Sequence, residues 1–288
     1  MTYDLCDIGV IRGLLEESGF RFSKSMGQNF LVDRTVPERI AEESRADKGS
    51  FVLEVGPGVG CLTRELAVLA GKVVAVEIDK RLPDVLKKTL ADCPNVELVR
   101  GDILKTDIPA LVRERAGELT PRVCANLPYN ITSPALTALL TPRLFETVTV
   151  MIQREAAMRL CAAPGTSDYG AFTVFVNWYA EPETLFDVPP SCFIPRPKVT
   201  NTVVRLRRRT APPVSVNDES LFFRVVRASF AQRRKTLLNG LASAFGQSLS
   251  RDALETALES CGLPAQTRGE TLDIGTFARL SDALGSLL

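Results

Sequence analysis

Short apolar runs alternate with segments of helical periodicity through the first half of this chain. The candidate strands are FVLEVG from Phe51, VVAVEI from Val73, VELV from Val96, VCAN from Val123 and VTVMI from Val148. Between them, LTRELAVLA and RLPDVLKKTL have the apolar spacing of amphipathic helices, and Pro83 in the second is expected at the helix start. Alternation of buried strands and helices is typical of a parallel sheet covered by helices.

The pattern changes in the last third of the chain. FTVFVNWYA, residues 172–180, and residues 200–206 predict two more strands, which would complete the sheet as an antiparallel pair. The stretch TAPPVSVNDES after Arg209 has the composition of a linker, and the remainder is helical with ends at Gly246 and Gly262. We therefore predict an α/β fold with a Rossmann-like sheet in residues 1–209 and a small all-helical domain in residues 210–288.

Composition narrows the classes of function. The chain has 288 residues, 45% of them hydrophobic and 24% charged, as in an ordinary globular protein. It has no histidine, which excludes a Ser-His-Asp triad and a His-ligated zinc. Seven separate cysteines without a C-x-x-C pair predict reduced thiols and no metal site. We see neither a secretory signal nor a membrane-spanning stretch and expect a cytoplasmic protein.

The net charge of +1 hides a strong asymmetry. Residues 188–251 contain twelve basic and two acidic residues, so this segment carries +10 and the remainder −9. Segregated positive charge favours a polyanionic partner such as RNA over a merely solvated basic face. The candidate RNA contacts are Arg196, Lys198, Arg227, Arg233, Arg234 and Lys235.

Polar groups follow three successive predicted strands. The first strand runs into LEVGPGVG, where Gly56, Gly58 and Gly60 allow a sharp turn and a close approach to a ligand. A G-x-G-x-x-G loop would need glycine at Cys61, which weakens a pyrophosphate site. Glu77 in VEID could accept both hydroxyls of a ribose, and Asp102 in GDIL could bind an adenine amine. Together they predict a nucleoside cofactor, either NAD or S-adenosylmethionine.

The fourth strand ends in NLPY, an unusual sequence for a strand end. The side-chain oxygen of Asn126 and the backbone carbonyl of Leu127 could accept hydrogen bonds from an adenine amine and free its lone pair for attack. Pro128 would hold the loop rigid, and Tyr129 would offer its ring to the base. The alternative interpretation is a turn capped by an asparagine.

Seven motifs occur in order along the chain: MGQNFLVD (26–33), LEVGPGVG, VEID, GDIL, NLPYN, VPPSCFIPRPKV (188–199) and SFAQRRKTLLN (229–239). In this combination the sequence resembles the KsgA family of ribosomal RNA adenine dimethyltransferases. The resemblance implies a class I methyltransferase sheet and transfer of methyl groups from S-adenosylmethionine to N6 of two adjacent adenosines. Those adenosines lie in the 3′-terminal hairpin of small-subunit (16S) rRNA, so the implied partner is that rRNA, the 30S subunit or its precursor. We expect a monomer.

The resemblance also implies individual roles. It assigns the cofactor to Asn29, Leu31, Gly56, Glu77 and Asp102, and places Asn126 between cofactor and target. It assigns Phe193 to the target base, stacked opposite Tyr129, although from the residues alone Phe193 is better explained as a core aromatic in a proline-stiffened loop.

Three alternatives remain open. Related enzymes that modify large-subunit rRNA share the cofactor motifs and a similar Asn-Leu/Ile-Pro element, but SFAQRRKTLLN, which we interpret as a helix, is closer to the small-subunit family. A non-catalytic assembly factor would bind immature small subunits through the basic region. An NAD-dependent oxidoreductase would require the missing glycine and usually a proton donor such as histidine.

Overall fold

The computed structural model describes residues 3–19, 29–232 and 235–288. Contacts divide the chain into two units, one made of Met1–Ala157 and Glu181–Arg208 and the other of Met158–Ala180 and Arg209–Leu288. The predicted boundary after residue 209 lies one residue from the division between Arg208 and Arg209, but residues 158–180 group with the C-terminal unit. The sequence analysis had assigned that segment to the first domain.

The strands are β1 (Phe30–Leu31), β2 (Ser50–Val55), β3 (Lys72–Glu77), β4 (Val96–Arg100), β5 (Thr120–Asn126), β6 (Thr147–Gln153), β7 (Ala180–Val188), β8 (Phe193–Ile194) and β9 (Asn201–Arg208). The helices are α1 (Ile8–Glu17), α2 (Thr35–Glu43), α3 (Cys61–Leu69), α4 (Pro83–Thr89), α5 (Ile108–Arg115), α6 (Thr132–Leu140), α7 (Arg154–Leu160), α8 (Ala171–Tyr179), α9 (Glu219–Phe230), α10 (Leu237–Phe245), α11 (Arg251–Ser260) and α12 (Ile274–Gly285).

A seven-stranded sheet forms the centre of the first unit, in the order β4-β3-β2-β5-β6-β9-β7. The pairs from β4 through β6 are parallel, and β9 is antiparallel to β6. All six residues of β2 are buried, as expected for an apolar strand covered on both faces. The five predicted parallel strands and the strand over 200–206 are confirmed.

Helices α2 and α3 cover one face of this sheet. Ile40 of α2 and Leu66 of α3 are fully buried and belong to the same apolar cluster as Val52, Val73 and Val203 from three strands. Burying these side chains is the main favourable term that holds helices to the sheet. The position of α4 agrees with the sequence analysis, since Pro83 is its first residue and no N–H is lost there.

The prediction of a strand over residues 172–180 is wrong, because this segment forms helix α8 of the second unit. A short run that is apolar throughout does not distinguish a buried strand from a buried helix. Gly170 donates its backbone N–H to the Thr173 hydroxyl at 3.0 Å, which closes the first turn of the helix. Trp178 then stacks on Phe222 of α9 with ring centroids 4.4 Å apart. Tertiary packing therefore decides that residues 171–179 form a helix and not a strand.

The second unit is helical in the part of the chain described. Asp218, Ser250 and Asp273 cap α9, α11 and α12 by accepting backbone N–H groups of the first turn. Gly246 follows α10 and Gly262 lies just past α11, where φ is +71°. The expected helix ends at these two glycines are confirmed. Among the described residues, every helix is too short or too polar to cross a lipid bilayer.

Candidate active site

The candidate site is a cavity at the carboxyl ends of the parallel strands. The chain runs from β2 outward to β3 and β4 on one side and later to β5 and β6 on the other, so the strand order reverses between β2 and β5. Open α/β sheets bind ligands at such a reversal. The cavity encloses about 1230 Å³, including solvent at its mouth, and the loops after β2, β3, β4 and β5 all line it.

Left-handed glycines shape the loop after β2. Gly56, Gly58 and Gly60 have φ angles of +69°, +62° and +95°, a region that other residues rarely adopt. A Cβ atom on Gly56 would meet no atom within 4 Å, whereas one on Gly58 would lie 3.3 Å from the Phe30 ring. The loop therefore presents bare backbone to the cavity at Gly56, as the sequence predicted for a close ligand approach.

Two carboxyl groups are buried in the cavity wall. Burial raises the pKa of Glu54 to about 8, and the neighbouring Glu77 adds to that rise. Burial also raises the pKa of Glu77 to about 7, although Glu77 Oε1 accepts a hydrogen bond from the Asp79 N–H at 2.7 Å. Glu54 Oε2 has no hydrogen-bond partner among the described residues. Such an atom is costly unless a ligand donates to it.

Sequence reasoning named Glu77 but assigned no role to Glu54. The signal was present, since Glu54 is a single carboxylate inside the otherwise apolar strand FVLEV. Charged residues are almost never fully buried without a partner. The nearby Thr63 hydroxyl, itself buried without a partner among the described residues, lowers the pKa of Glu54 and offsets part of the effect of burial.

The loop after β4 places Asp102 at the cavity. Its Oδ1 accepts the N–H of Leu104 at 3.0 Å, which fixes the carboxylate at the start of a short 3₁₀ turn. Gly101 donates its N–H to the carbonyl of Glu77 at 2.9 Å, so the loops after β3 and β4 are joined. Ile78 and Leu104 line the same cavity with 52% and 40% of their surface exposed. Sequence reasoning missed these two apolar side chains, which suit the faces of a flat base.

Asn126 ends β5 and lines the cavity. Its Nδ2 donates to the backbone carbonyl of Asn29 at 3.4 Å, and in the part of the chain that the structure describes no donor reaches its Oδ1. The N–H of Leu127 donates to the Met151 carbonyl of β6 at 3.1 Å, which anchors the next peptide to the sheet. Asn126 therefore has a defined amide orientation.

Hydrogen bonds hold the rest of the NLPY segment in place. Pro128 precedes a 3₁₀ turn over Tyr129–Ile131, and its carbonyl accepts the N–H of Ile131 at 3.2 Å. The Thr132 hydroxyl lies 3.3 Å from the carbonyls of both Pro128 and Tyr129. Tyr129 is half-buried and lines the cavity. This braced turn offers an aromatic ring beside the Asn126 amide.

The strand pair β1–β8 adds the N-terminal side of the cavity. Asn29 and Leu31 both line it, as expected from the resemblance, although Leu31 is itself buried. Leu31 lies opposite Phe193 in the antiparallel register of β1 and β8. Residues 26–28 of the MGQNFLVD motif lie outside the described residues.

The structure does not bring Phe193 to the cavity. Phe193 is 4% exposed and belongs to the apolar cluster that contains Leu31, Ile40 and Met151. Phe193 therefore packs as a core aromatic, as the residues alone indicated, and its stacking on the target base stays a prediction. The physical reason is the pairing of β8 with β1, which turns Phe193 inward.

The basic residues of segment 188–251 differ in exposure. Arg196, Lys198, Arg227 and Lys235 are exposed, whereas Arg233 and Arg234 lie outside the described residues. Lys235 lies between the end of α9 at Phe230 and the start of α10 at Leu237, so it does not belong to a continuous helix over SFAQRRKTLLN. Arg205 is buried and paired with Glu43 and Glu183 within the first unit. Part of the basic segment is therefore structural.

Comparison with known proteins gives one consistent set of relatives. A family model described as ribosomal RNA adenine dimethylase matches residues 19–283. A Geobacillus thermodenitrificans protein called ribosomal RNA small subunit methyltransferase A is 45% identical over 287 residues, which is 99% of this chain and 98% of that protein. A Listeria monocytogenes protein of the same name is 44% identical over 100% of this chain and 99% of its own length.

Solved structures agree on the fold. A dimethyladenosine transferase from Plasmodium falciparum superimposes with a TM-score of 0.74 at 26% identity, over 87% of this chain and 95% of its own. The 23S rRNA methyltransferase ErmE superimposes with a TM-score of 0.66 at 31% identity, over 89% and 99%. The sequence identity of this chain to the small-subunit methyltransferases, 44–45%, is higher than its 31% identity to ErmE.

Proposed function

This chain belongs to the ribosomal RNA adenine dimethylase family, and from that premise we propose that it methylates N6 of two adjacent adenosines near the 3′ end of small-subunit rRNA. The observation that carries this proposal is the position of Asn126 in the cavity. Its Nδ2 donates to the Asn29 carbonyl, and its Oδ1, which accepts no hydrogen bond from the described residues, can accept one from an adenine amine.

The residues around the cavity fit S-adenosylmethionine, which supplies the methyl group when bound. Glu54 Oε2 is a buried acceptor that lacks a partner among the described residues, as a site for an ammonium group requires. Glu77 would accept the ribose hydroxyls, and Asp102 the adenine amine. Gly56 allows close approach of backbone, and Asn29 and Leu31 would complete the wall. NAD is disfavoured because the loop lacks the third glycine of its phosphate-binding motif.

The chemistry at the target follows from the polar groups of the NLPY segment. An adenine amine is a weak nucleophile because its lone pair is delocalised into the ring. Acceptance of its two hydrogens by Asn126 Oδ1 and the Leu127 carbonyl would localise that lone pair. The braced loop after Pro128 keeps these acceptors in place before the substrate arrives, so little reorganisation is needed. Tyr129 would hold the base by stacking.

Cofactor affinity should rise with pH. Burial raises the pKa of Glu77 from its usual 4.5 to about 7, so the free protein holds a proton there below neutral pH. Two ribose hydroxyls would donate hydrogen bonds to the ionised carboxylate of Glu77. Binding of the cofactor must therefore release the proton that Glu77 holds. Ionisation of Glu77 should therefore increase the affinity for S-adenosylmethionine about five- to tenfold between pH 6 and pH 8, and ionisation of Glu54, with a pKa of about 8, should add to that increase.

Titration calorimetry across this pH range would measure the effect. Glu77→Gln should reduce the pH dependence to the part that Glu54 contributes, whereas Asp84→Asn, on an exposed carboxylate of α4, should leave it unchanged. Equal pH dependence in wild type and Glu77→Gln would contradict the assignment of Glu77.

RNA binding should depend on the exposed basic residues beside β8. Arg196→Glu with Lys198→Glu should lower affinity for small-subunit rRNA and reduce the slope of log affinity against log salt by about one per lost phosphate contact. The control is Lys87→Glu, which changes an exposed charge on α4. A slope equal to that of wild type would mean that these residues do not contact RNA. The same design applies to Arg233, Arg234 and Lys235.

The proposal as a whole is tested by transfer of labelled methyl groups to ribosomal subunits from a strain that lacks the modification. Dimethyladenosine at two adjacent positions near the 3′ end of the small-subunit rRNA is the expected result. Label confined to the large subunit would move the substrate to 23S rRNA. Tight binding to small subunits without any label would favour an assembly factor.

A further inference from the structure

Asn201, the first residue of β9, has a buried amide that the fold itself does not use. The residue is 1% exposed, and neither its Oδ1 nor its Nδ2 has a hydrogen-bond partner among the described residues. Buried amides almost always have partners, because an unpaired one loses the hydrogen bonds that water supplied. Asn201 therefore requires an explanation beyond packing.

The sheet places Asn201 at the same edge as the candidate site. It lies opposite Gln153 at the end of β6, and two residues earlier on that strand Met151 lies opposite Asn126. The peptide before Asn201 is held in place, because the Thr200 carbonyl accepts the N–H of Arg154 at 3.0 Å. The start of β9 is therefore fixed close to the point where the NLPY segment leaves β5.

Tyr129 also has a buried polar group without a hydrogen-bond partner among the described residues. Its ring lines the cavity, yet its hydroxyl is buried without a hydrogen-bond partner among the described residues. Burial raises the pKa of the Tyr129 phenol, and the Asn201 amide opposes that rise. Tyr129 and Asn201 are thus two neighbouring buried polar groups without other described partners.

We propose that Asn201 is a positioning residue for methyl transfer, whose side-chain Nδ2 donates a hydrogen bond to the Tyr129 hydroxyl oxygen when the target adenosine is bound and so fixes the plane of the Tyr129 ring. The inference rests on the proposed function, since only there does this ring hold the base. Asn201 itself touches neither substrate nor cofactor. A ring fixed at one edge and stacked on one face holds the base in a single orientation, which favours attack by its amine.

The test is a double-mutant cycle with Asn201→Ala, Tyr129→Phe and the two combined, with small subunits lacking the modification as substrate. Each single change should lower kcat/KM for the subunit about tenfold, as expected for one lost hydrogen bond, while affinity for S-adenosylmethionine stays within about twofold. The double variant should be no worse than the poorer single one. Losses that multiply to about a hundredfold would overturn the proposal.

A control separates positioning from support of the fold. Thr202→Val on the same strand removes the bond from the Thr202 hydroxyl to Asp187 at 2.6 Å, and its side chain points to the opposite face of the sheet. This variant should lose thermal stability without a change in kcat/KM. If Asn201→Ala fails to fold, Tyr129→Phe alone decides, because a near-normal kcat/KM for that variant also overturns the proposal.

The same measurements distinguish this inference from the proposed function. If wild type transfers no methyl groups to small subunits, or if Tyr129→Ala is fully active, the proposed function or its site is wrong and this inference falls with it. If wild type is active and Tyr129→Ala is impaired while Asn201→Ala is normal, only the inference about Asn201 fails.

Discussion

Replacement of Asn126 by alanine should lower the turnover of methyl transfer by about 10²- to 10³-fold, the usual effect of removing one preorganised polar group from an active site. The change deletes the amide whose Nδ2 donates to the Asn29 carbonyl and whose Oδ1 is left for the substrate. Cofactor affinity should stay nearly intact, because Glu77 and Asp102 lie on other loops. Single-turnover transfer at saturating S-adenosylmethionine would measure the loss.

Asn130 offers a matched control for this experiment. It is an exposed amide on the same loop, and it also lines the cavity. Asn130→Ala should change turnover by no more than about twofold. Near-normal turnover in Asn126→Ala would refute the role assigned to Asn126, and equal losses in both variants would indicate a general disturbance of the loop.

Replacement of Arg205 by alanine should lower the free energy of unfolding by about 3 kcal/mol, at the low end of the range for broken buried ion pairs. Arg205 Nη1 donates to Glu43 Oε2 at 3.0 Å, and Nη2 donates to Glu183 Oε2 at 2.9 Å. Its loss leaves two carboxylates without their cation, although both are partly exposed and regain some water. Urea unfolding followed by circular dichroism would measure the shift.

Arg207 provides the comparison, because it lies two residues further along β9. Its ion pair with Glu181 is 3.5 Å long, and the side chains are 61% and 50% exposed. Exposed pairs contribute little, so Arg207→Ala should change stability by less than about 1 kcal/mol. Equal effects of the two changes would show that burial does not distinguish these arginines.

This comparison bears on the charge asymmetry of the chain. The excess of +10 in residues 188–251 favoured a polyanionic partner, and the count included Arg205. In the structure the Arg205 guanidinium is buried and forms ion pairs with Glu43 and Glu183 of the first unit. Arg196, Lys198, Arg227 and Lys235 are exposed and stay candidates for RNA, as do Arg233 and Arg234, which lie outside the described residues.

Sequence alone determined the α/β class, the five parallel strands, the strand over 200–206 and the region of the candidate site. Strand periodicity, left-handed glycines and polar residues at strand ends are local signals, and parallel strands carry their carboxyl ends to one edge. Glu77, Asp102 and Asn126 could therefore be named from position alone. Glu54 could also have been found, as a carboxylate in an apolar strand.

Only the tertiary structure decided the conformation of segment 172–180 and the surroundings of Phe193 and Asn201. The apolar segment 172–180 is a helix because Trp178 packs on Phe222, a partner more than forty residues away in the sequence. Phe193 is a core residue because β8 pairs with β1, and no local pattern encodes that pairing. Asn201 comes close to the NLPY segment because β6 pairs with both β5 and β9. Contacts between segments distant in the chain depend on which surfaces are buried together, and burial is a property of the whole fold.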